Sequence, residues 1–368
     1  MILRGAKAVF LGAAAAGVLA SGCRPAESGL RGTASANLSR PQEPKLFGVA
    51  VHAAHGLVLR PASLEFIERF RPILRTPIYW MDVEPEEGPL RVPDKYDRIR
   101  AIARENGTQL AVVLGYNHTT RAESCREGAH VRGGQCIAGV ATEANRDAFV
   151  AYASFLAGQL AAEVAVWEIW NEPNHDPFWK PEPSVEDFIA LAERVAPAIR
   201  SADSSSYIVT GGTAYVDFDF IERLLESGVY RQVDAIGIHM NMMKPGKVKI
   251  RREGKVADAS LSAVLSRLEE LHEEYGASFL VTEFGFPLYS SAYDRDADQR
   301  KLRRALVGQE QRSLVEAYRS TRLSDAISGI IIYQLQDDLI RSNPLGGIRG
   351  LVDAFGERKP AVDYFSEP

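Results

Sequence analysis

The sequence predicts an α/β fold, a (β/α)8 or TIM barrel that forms a single domain. Eight strand-like runs alternate with amphipathic helical stretches over roughly 300 residues, the usual size of such barrels. From Leu46 onward, no linker, low-complexity tract or short repeat divides the chain. Polar side chains stand where most of the predicted strands end. A doubly wound open sheet is the structural alternative, but no Gly-x-Gly-x-x-Gly turn follows the first strand.

The first residues are typical of an export signal followed by a tether. Arg4 and Lys7 precede an apolar run, Ala8–Ala20, that is short for a membrane span and leads into small residues. Residues 24–44 are rich in Ser, Pro, Gly, Arg and Glu and lack apolar periodicity, which favours a flexible tether. The chain therefore divides into a signal over 1–22, an anchor and tether over 23–44, and a folded domain over 45–368.

The segment Leu19-Ala20-Ser21-Gly22-Cys23 resembles the lipobox of bacterial lipoproteins, in which the cysteine is lipidated and becomes the mature N-terminus. It departs from the commonest pattern because an alanine stands three places before Cys23. Ordinary signal cleavage beside an incidental Cys23 is the alternative. Arg24 stands where an aspartate would argue for retention in the inner membrane, so the resemblance implies an anchor in the outer membrane, if the cell has one.

The remaining cysteines and the distribution of charge limit which metals and partner molecules the chain is expected to bind. Cys125 and Cys136 share a polar, Gly-rich loop of an exported chain, which favours a disulfide between them. A zinc site with His130 is the alternative, but the spacing matches no known zinc pattern. The formal charge of −5, with its signs interspersed, gives no reason to propose nucleic acid. We expect no metal, no cofactor, no nucleic acid and a monomer.

The predicted elements follow one another in the order that a barrel requires. The predicted strands are Leu46–His52, Ile73–Tyr79, Gln109–Leu114, Val164–Trp170, Tyr207–Gly211, Ala235–His239, Phe279–Thr282 and Ile327–Leu335. The predicted helices are Ser63–Phe70, Asp94–Asn106, Asn145–Leu160, Val185–Arg200, Phe218–Glu226, Ser260–Tyr275 and Arg300–Thr321. Ser184 and Ser260 are expected to cap the helices that follow them, and Gly276 to end one. An eighth helix is only weakly indicated.

The fourth strand has the most unusual pattern. Its apolar run ends in Asn171-Glu172-Pro173, although burying an unpartnered carboxylate costs several kcal/mol. A structural ion pair or a strand end that reaches solvent would explain this, and so would a catalytic acid at the mouth of a barrel. Glu168, on the same side of the strand as Glu172, is interpreted as a buried structural residue, with Arg75 a candidate partner.

Other strands also end in polar residues, and their carboxyl ends meet on one face of a barrel. These residues include His52, His55, Arg75, Asn117, His118, His239, Asn241, Glu283, Tyr333 and Gln334. Two glutamates facing one pocket, about 5–5.5 Å apart, suit retaining glycoside hydrolysis. A cation such as Arg75 would keep Glu283 ionised, and Glu172 would take the raised pKa and act as acid and then base.

These residues carry a family resemblance that covers Leu46 to Phe365. Trp167-Glu168-Ile169-Trp170-Asn171-Glu172-Pro173-Asn174 resembles the strand-four signature of glycoside hydrolase clan A, the retaining (β/α)8 glycosidases. Thr282-Glu283-Phe284-Gly285 resembles the strand-seven nucleophile segment of that clan. The strand-eight segment that begins at Ile331 resembles family 39 and its relatives among exopolysaccharide-associated hydrolases. The resemblance implies a retaining glycosidase.

The resemblance also implies roles, position by position. Glu172 matches the general acid/base, Glu283 the nucleophile, and Asn171 the residue that holds the 2-hydroxyl of the sugar. Arg75 matches the arginine that supports the nucleophile, and His239 the strand-six residue beside it. Since strict alternation would point Asn171 and Glu172 to opposite sides, the strand must bulge or turn there.

Further substrate contacts are expected around this centre. They are Trp80, His52, Asn117, His118, Trp179 and Tyr333. The two tryptophans could stack on sugar faces, or pack within loops. Tyr333-Gln334-Leu335 stands where many clan members have a tryptophan under the sugar, which puts glucose- or mannose-type substrates in doubt. The sequence thus predicts a lipid-anchored hydrolase of an envelope or extracellular poly- or oligosaccharide. A catalytically weak carbohydrate-binding or matrix-scaffolding lipoprotein and a transglycosylase are the alternatives.

Overall fold

A computed structural model describes residues 45–53, 57–85, 88–132, 134–244, 246–285, 312–337, 349–353, 356–359 and 362. The predicted signal, the lipid site at Cys23 and the tether lie outside these residues, so those predictions stay predictions. His55 and the first part of the predicted Arg300–Thr321 helix also lie outside them. Among the residues described, no helix combines the length and the apolar character needed to cross a membrane.

Eight parallel strands form a closed barrel. They are β1 (Leu46–Ala50), β2 (Ile73–Tyr79), β3 (Leu110–Gly115), β4 (Val164–Asn171), β5 (Tyr207–Gly212), β6 (Ile236–Lys244), β7 (Phe279–Gly285) and β8 (Ile327–Ile332). Each strand pairs with the next in the chain, and β8 returns to pair with β1. Parallel bridges from Val209 to Ala235 and from Thr213 to Ile238 complete the circle between β5 and β6. All eight strands predicted from the sequence are present, with ends that differ by a few residues.

Helices lie between successive strands. They are α1 (Pro61–Phe70), α2 (Asp97–Glu105), α3 (Glu143–Leu160), α4 (Val185–Ala202), α5 (Phe218–Ser227) and α6 (Leu261–Tyr275), followed by helical residues 312–323. The Ser184 side chain accepts from the backbone N–H of Asp187, and Ser260 accepts from that of Ala263. Gly276 ends α6 at φ 70°, a conformation that glycine adopts without strain. The predicted caps are therefore confirmed.

The barrel interior contains a compact apolar layer beneath the polar end. It is formed by Ala111, Val166, Val209, Ala235, Leu280 and Ile331, one residue from or beside each of six neighbouring strands. Because side chains alternate along a strand, the inward position after Val166 is Glu168. This places a carboxylate directly above the apolar layer. The inner floor of the pocket is therefore ionic.

Two hairpins were not predicted. The antiparallel strands Lys247–Arg252 and Lys255–Ser260 extend the sheet beyond β6. They are joined by Glu253 and Gly254, both at positive φ, as in the two-residue turns that suit hairpins. A second, short hairpin pairs Val131–Arg132 with Gln135–Cys136. A disulfide ties this hairpin to Cys125.

Candidate active site

A cavity of about 380 Å³ opens at the carboxyl ends of the strands. Seven residues singled out from the sequence line it, namely His52, Arg75, Asn171, Glu172, Asn241, Glu283 and Tyr333. His239 lies just beneath, fully buried. The barrel thus gathers the polar strand ends into one site, as its topology requires.

Arg75 anchors one side of the site. Its guanidinium donates to Glu168 (Nε to Oε2, 2.6 Å), Glu283 (Nη1 to Oε1, 2.9 Å) and Asn171 (Nη2 to Oδ1, 3.1 Å). Burial alone would lower the pKa of Arg75, but the charges of Glu168 and Glu283 outweigh burial and raise it. Arg75 therefore remains cationic and fixes the positions of three acceptors. Glu168 is the buried partner of Arg75 that the sequence suggested.

The end of β4 turns, as the sequence required. Trp170 and Glu172 have positive φ angles, 73° and 49°, which non-glycine residues rarely adopt. The backbone N–H of Glu172 donates to the carbonyl of Gly212 at 2.9 Å, which holds the turn against β5. Asn171 and Glu172 consequently both line the cavity. Such strained conformations persist where the surrounding structure enforces them.

A similar irregularity brings Glu283 into the cavity. The pairing of β7 with β6 shifts between Val281 and Glu283, and its pairing with β8 shifts over the same stretch. Without that shift, alternation from the inward-facing Leu280 would point Thr282 inward and Glu283 outward. The shift also places Glu283 opposite His239 in the register of β6 and β7.

Two histidines hold the carboxylate of Glu172. Nδ1 of His239 lies 3.0 Å from Oε1, and Nδ1 of His175 lies 3.0 Å from Oε2. His239 Nδ1 is also 3.7 Å from an oxygen of Glu283. A Cβ at Gly212 would lie 2.3 Å from Nε2 of His239, so only glycine at this position leaves room for the ring. The sequence analysis assigned no role to His175 and missed this contact.

The raised pKa expected for Glu172 is wrong for this arrangement. Burial, the strongest single influence, would raise it, but the hydrogen bonds and charges of His175 and His239 outweigh burial and lower the pKa of Glu172 to about 2. Burial would lower the pKa of His239, but Glu283 and Glu172 raise it overall. Glu172 is therefore ionised at neutral pH.

One oxygen of Glu172, one oxygen of Glu283 and one ring nitrogen of His239 lie within 4.8 Å of one another. The two carboxyl groups are thus close enough for a retaining mechanism and closer than an inverting one needs. The same three groups are possible metal ligands. However, Arg75 already neutralises Glu283, and the His239 nitrogen hydrogen-bonds Glu172. The arrangement therefore fits a carboxylate pair better than a cation site.

Trp80 and Trp179, which were expected to stack on sugar, are core residues, so that expectation is wrong. Trp80 begins a short helix immediately after β2, which turns its fully buried ring away from the cavity and onto Tyr152. Its Nε1 donates to Glu84 at 2.7 Å. Trp179 is 1% exposed and packs against Trp170 with ring centroids 5.0 Å apart. Neither ring lines the cavity.

The expectation for Asn117 and His118 is corrected as well. Both are 1% exposed and lie outside the cavity. Asn117 donates to the carbonyls of Ala138 and Gly139, and so fastens the loop that leaves β3. His118 hydrogen-bonds the carbonyl of Glu84. The chain turns away from the barrel axis after Tyr116, so these two residues support loops rather than substrate.

One wall of the cavity is instead formed by three rings that sequence reasoning did not commit to. Tyr79 and Tyr116 stack at 5.8 Å, and Tyr116 and Phe178 stack at 6.0 Å, with interplanar angles of 20° and 21°. Tyr79 ends β2 and Tyr116 follows β3, so the position of an aromatic residue at the end of a strand could have indicated that these two rings line the cavity. His52 and Tyr333 also line the cavity and contact each other edge to face, with centroids 5.6 Å apart.

Comparison with solved structures supports the fold. No family model and no curated protein matches the chain. A family 39 glycoside hydrolase from the gut symbiont Bacteroides cellulosilyticus WH2 matches with a TM-score of 0.65 and 21% identity over 87% of this chain. This chain spans 63% of the length of that protein.

Two further structures agree. A monomeric β-xylosidase from Caulobacter crescentus CB15 has a TM-score of 0.58 and 18% identity, covering 87% of this chain and 67% of that one. A family 1 β-glucosidase from Thermotoga maritima has a TM-score of 0.57 and 16% identity, covering 88% and 97%. The structural neighbours are thus clan A glycosidases, as the motifs indicated. At these identities the likeness establishes the fold.

Proposed function

We propose that the chain is a retaining glycoside hydrolase that cleaves O-glycosidic bonds of an envelope or extracellular poly- or oligosaccharide. The observation that carries this proposal is the approach of Glu172 and Glu283, with His239 between them, to within 4.8 Å beneath an open cavity. Paired carboxylates at this separation suit double displacement. The clan A neighbours support the same reading.

In this mechanism Glu283 is the nucleophile. Arg75 donates to its Oε1 and keeps it anionic, which leaves Oε2 to attack the anomeric carbon. As the new C–O bond forms, the glycosidic C–O bond breaks and the leaving oxygen takes a proton from Glu172, which first receives it from one of the imidazoles that hold it. In the second step Glu172 removes a proton from water, which displaces Glu283 from the sugar.

Asn171 is suited to hold the 2-hydroxyl of the bound sugar. Its Oδ1 accepts from Arg75, and its Nδ2 donates to the Tyr116 hydroxyl at 3.2 Å, which orients the amide toward the cavity. The stacked rings of Tyr79, Tyr116 and Phe178 offer an apolar wall for the C–H face of a sugar. Tyr333 and His52 also line the cavity.

The test is substitution of each carboxylate. Glu172→Ala and Glu283→Ala should each lower turnover of an aryl glycoside by about 10²-fold or more, because each removes a group needed in the transition state. Added azide should partly restore one of the variants, since a small anion can replace a missing carboxylate. Glu193→Ala, at an exposed position on α4, is the control. An unchanged turnover rate in Glu283→Ala would contradict the mechanism.

The substrate is sought with a panel of polysaccharides and aryl glycosides. Proton NMR of the first product should show the anomeric configuration of the substrate retained. Products longer than the substrate would favour a transglycosylase. Binding without turnover by the unaltered protein would favour the scaffolding alternative.

We further propose that the protein is exported and held at the envelope, in the outer membrane where one exists, by lipid on Cys23. The support is the sequence from Leu19 to Cys23 and the tether that follows it. Mass spectrometry of the mature N-terminus should find a lipidated Cys23, and Cys23→Ala should release the protein from membranes. An unmodified N-terminus would contradict the anchor.

A further inference from the structure

We propose that His175 supplies and takes back the proton that Glu172 uses as acid and base, so that an imidazole stores this proton between turnovers. The inference rests on the proposed hydrolase function and deepens it. His175 acts through Glu172, which makes it a positioning residue for the proton rather than a group that attacks substrate. The family resemblance assigns no role to this position.

The turn after β4 brings His175 to the acid. The backbone N–H of His175 donates to the Glu172 carbonyl at 3.1 Å, and this short loop folds the ring back over the side chain. Nδ1 then meets Oε2 at 3.0 Å. Phe178 and Tyr215 flank the imidazole, each with its centroid 5.9 Å away. The ring is therefore held against one oxygen of the carboxylate.

Exposure separates His175 from the other histidine. The His239 side chain is 0% exposed, whereas the His175 side chain is 29% exposed. His239 also lies between both carboxylates, and its Nε2 has no hydrogen-bond partner among the described residues. The buried ring of His239 does not reach the surface of the described residues, whereas the ring of His175 is partly exposed on one side and meets Glu172 on the other. His175 is therefore the histidine that can exchange the proton.

Charged and titratable groups from several strands surround this place. Glu283 on β7 and Glu172 on β4 are anionic, and Arg75 on β2 is committed to Glu283 and Glu168. His239 faces the cluster from β6, and the Tyr116 hydroxyl, whose pKa burial raises, faces it from the end of β3.

Nearer the rim, Asp176 adjoins His175 in the chain, and its carboxylate pairs with Lys180 at 2.5 Å. The Tyr215 ring covers one side of the imidazole.

The proton balance closes over one cycle. Protonated His175 passes its Nδ1 proton to Oε2 of Glu172 when substrate excludes water. Glu172 gives that proton to the leaving oxygen while Glu283 bonds to the sugar and the glycosidic bond breaks. Water then attacks the sugar, releases Glu283 and leaves its proton on Glu172. Return of this proton to His175 restores the starting state.

The kinetic test compares His175→Asn with His175→Ala. Asparagine keeps an N–H near Oε2 but cannot release a proton, whereas alanine removes the donor. With the phenyl glycoside of the sugar that the panel identifies, whose leaving group needs protonation, both variants should lose about 10²-fold in kcat. With the dinitrophenyl glycosides, which leave without a proton, both should stay within about threefold of the unaltered protein.

Other outcomes overturn the proposal. Full activity of His175→Asn on phenyl glycosides would mean that a hydrogen bond suffices. Equal losses on both leaving groups would mean general damage to the site, and no loss in either variant would mean no role. Circular dichroism of both variants confirms that they are folded before rates are compared.

A second measurement needs no turnover. The chain has seven histidines, so ring nitrogen NMR of labelled protein can follow His175, assigned by its loss in His175→Asn. Its titration should move to lower pH in Glu172→Gln, because the anionic partner is gone. An unmoved titration would overturn the proposal. A coupled titration in a protein that turns over no glycoside would instead overturn the hydrolase assignment and leave the proton-storing pair intact.

Discussion

The two carboxylates of the cavity are held by different kinds of cation. Glu283 on β7 is held by the guanidinium of Arg75, which also binds Glu168 beneath the cavity. Glu172 at the end of β4 is held by two imidazoles, one on each oxygen. A guanidinium keeps its proton at every pH that proteins meet, whereas an imidazole gains and loses one near neutrality.

The two carboxylates therefore differ in whether the charge beside them changes with pH. Glu283 faces a permanent cation, which suits a residue that must be anionic whenever substrate arrives. Glu172 faces partners that can accept or release a proton, which suits a residue that alternates between acid and base. In the proposed mechanism, one barrel end gives two identical side chains opposite tasks through their neighbours.

The largest expected effect comes from removing the permanent cation. Arg75→Met should lower the free energy of unfolding by about 3–5 kcal/mol, because Glu168 and Glu283 would be left buried without their partner. Urea unfolding followed by fluorescence measures it. Arg100→Met is the matched control: Arg100 pairs with Glu163 at a half-buried site, and its loss should cost about 1 kcal/mol. An equal loss of unfolding free energy in both variants would show that the buried guanidinium of Arg75 contributes no more than the half-buried one of Arg100.

A smaller effect is expected from Glu172 and the histidines that hold it, and it should appear as a dependence of stability on pH. The pKa of His239 is raised from 6.5, so its contribution to stability is complete below 6.5 and is lost as pH rises through the folded value. The pKa of Glu172 is lowered from 4.5 to about 2, so its contribution is complete above 4.5 and is lost as pH falls toward 2.

His239→Gln should therefore reduce stability more at about pH 6 than at about pH 9. Thermal unfolding across this range measures the difference. His272→Gln is the control, since the ring of His272 bonds the backbone carbonyl of Ala277. A loss in His239→Gln that does not vary with pH would show that the imidazole contributes only packing.

Much of the fold could be read from the sequence because apolar runs and helical stretches alternate along the whole domain. The site residues on strands followed, since parallel strands bring their carboxyl ends together. Glu172, Glu283 and Arg75 needed only the strand assignments and the chemistry of a carboxylate pair.

The predictions failed where the chain leaves a strand. Trp80 and Tyr79 are adjacent aromatic residues at the end of β2, yet Tyr79 lines the cavity and Trp80 lies in the core. The direction of the next turn decides this, and no periodicity reports it. His175 was missed for the same reason, because its contact depends on a loop that folds back onto Glu172.

The disulfide between Cys125 and Cys136 has a practical consequence for preparing this protein. The hairpin that it secures carries Arg132, whose guanidinium lies 4.9 Å over the ring of Phe178, a wall of the cavity. Protein made in a reducing cytosol would lack the covalent link, which contributes about 2–3 kcal/mol for a loop of this length. Material for kinetic work should therefore be produced through an oxidising compartment, or refolded with a thiol–disulfide couple, before weak turnover is ascribed to the chain itself.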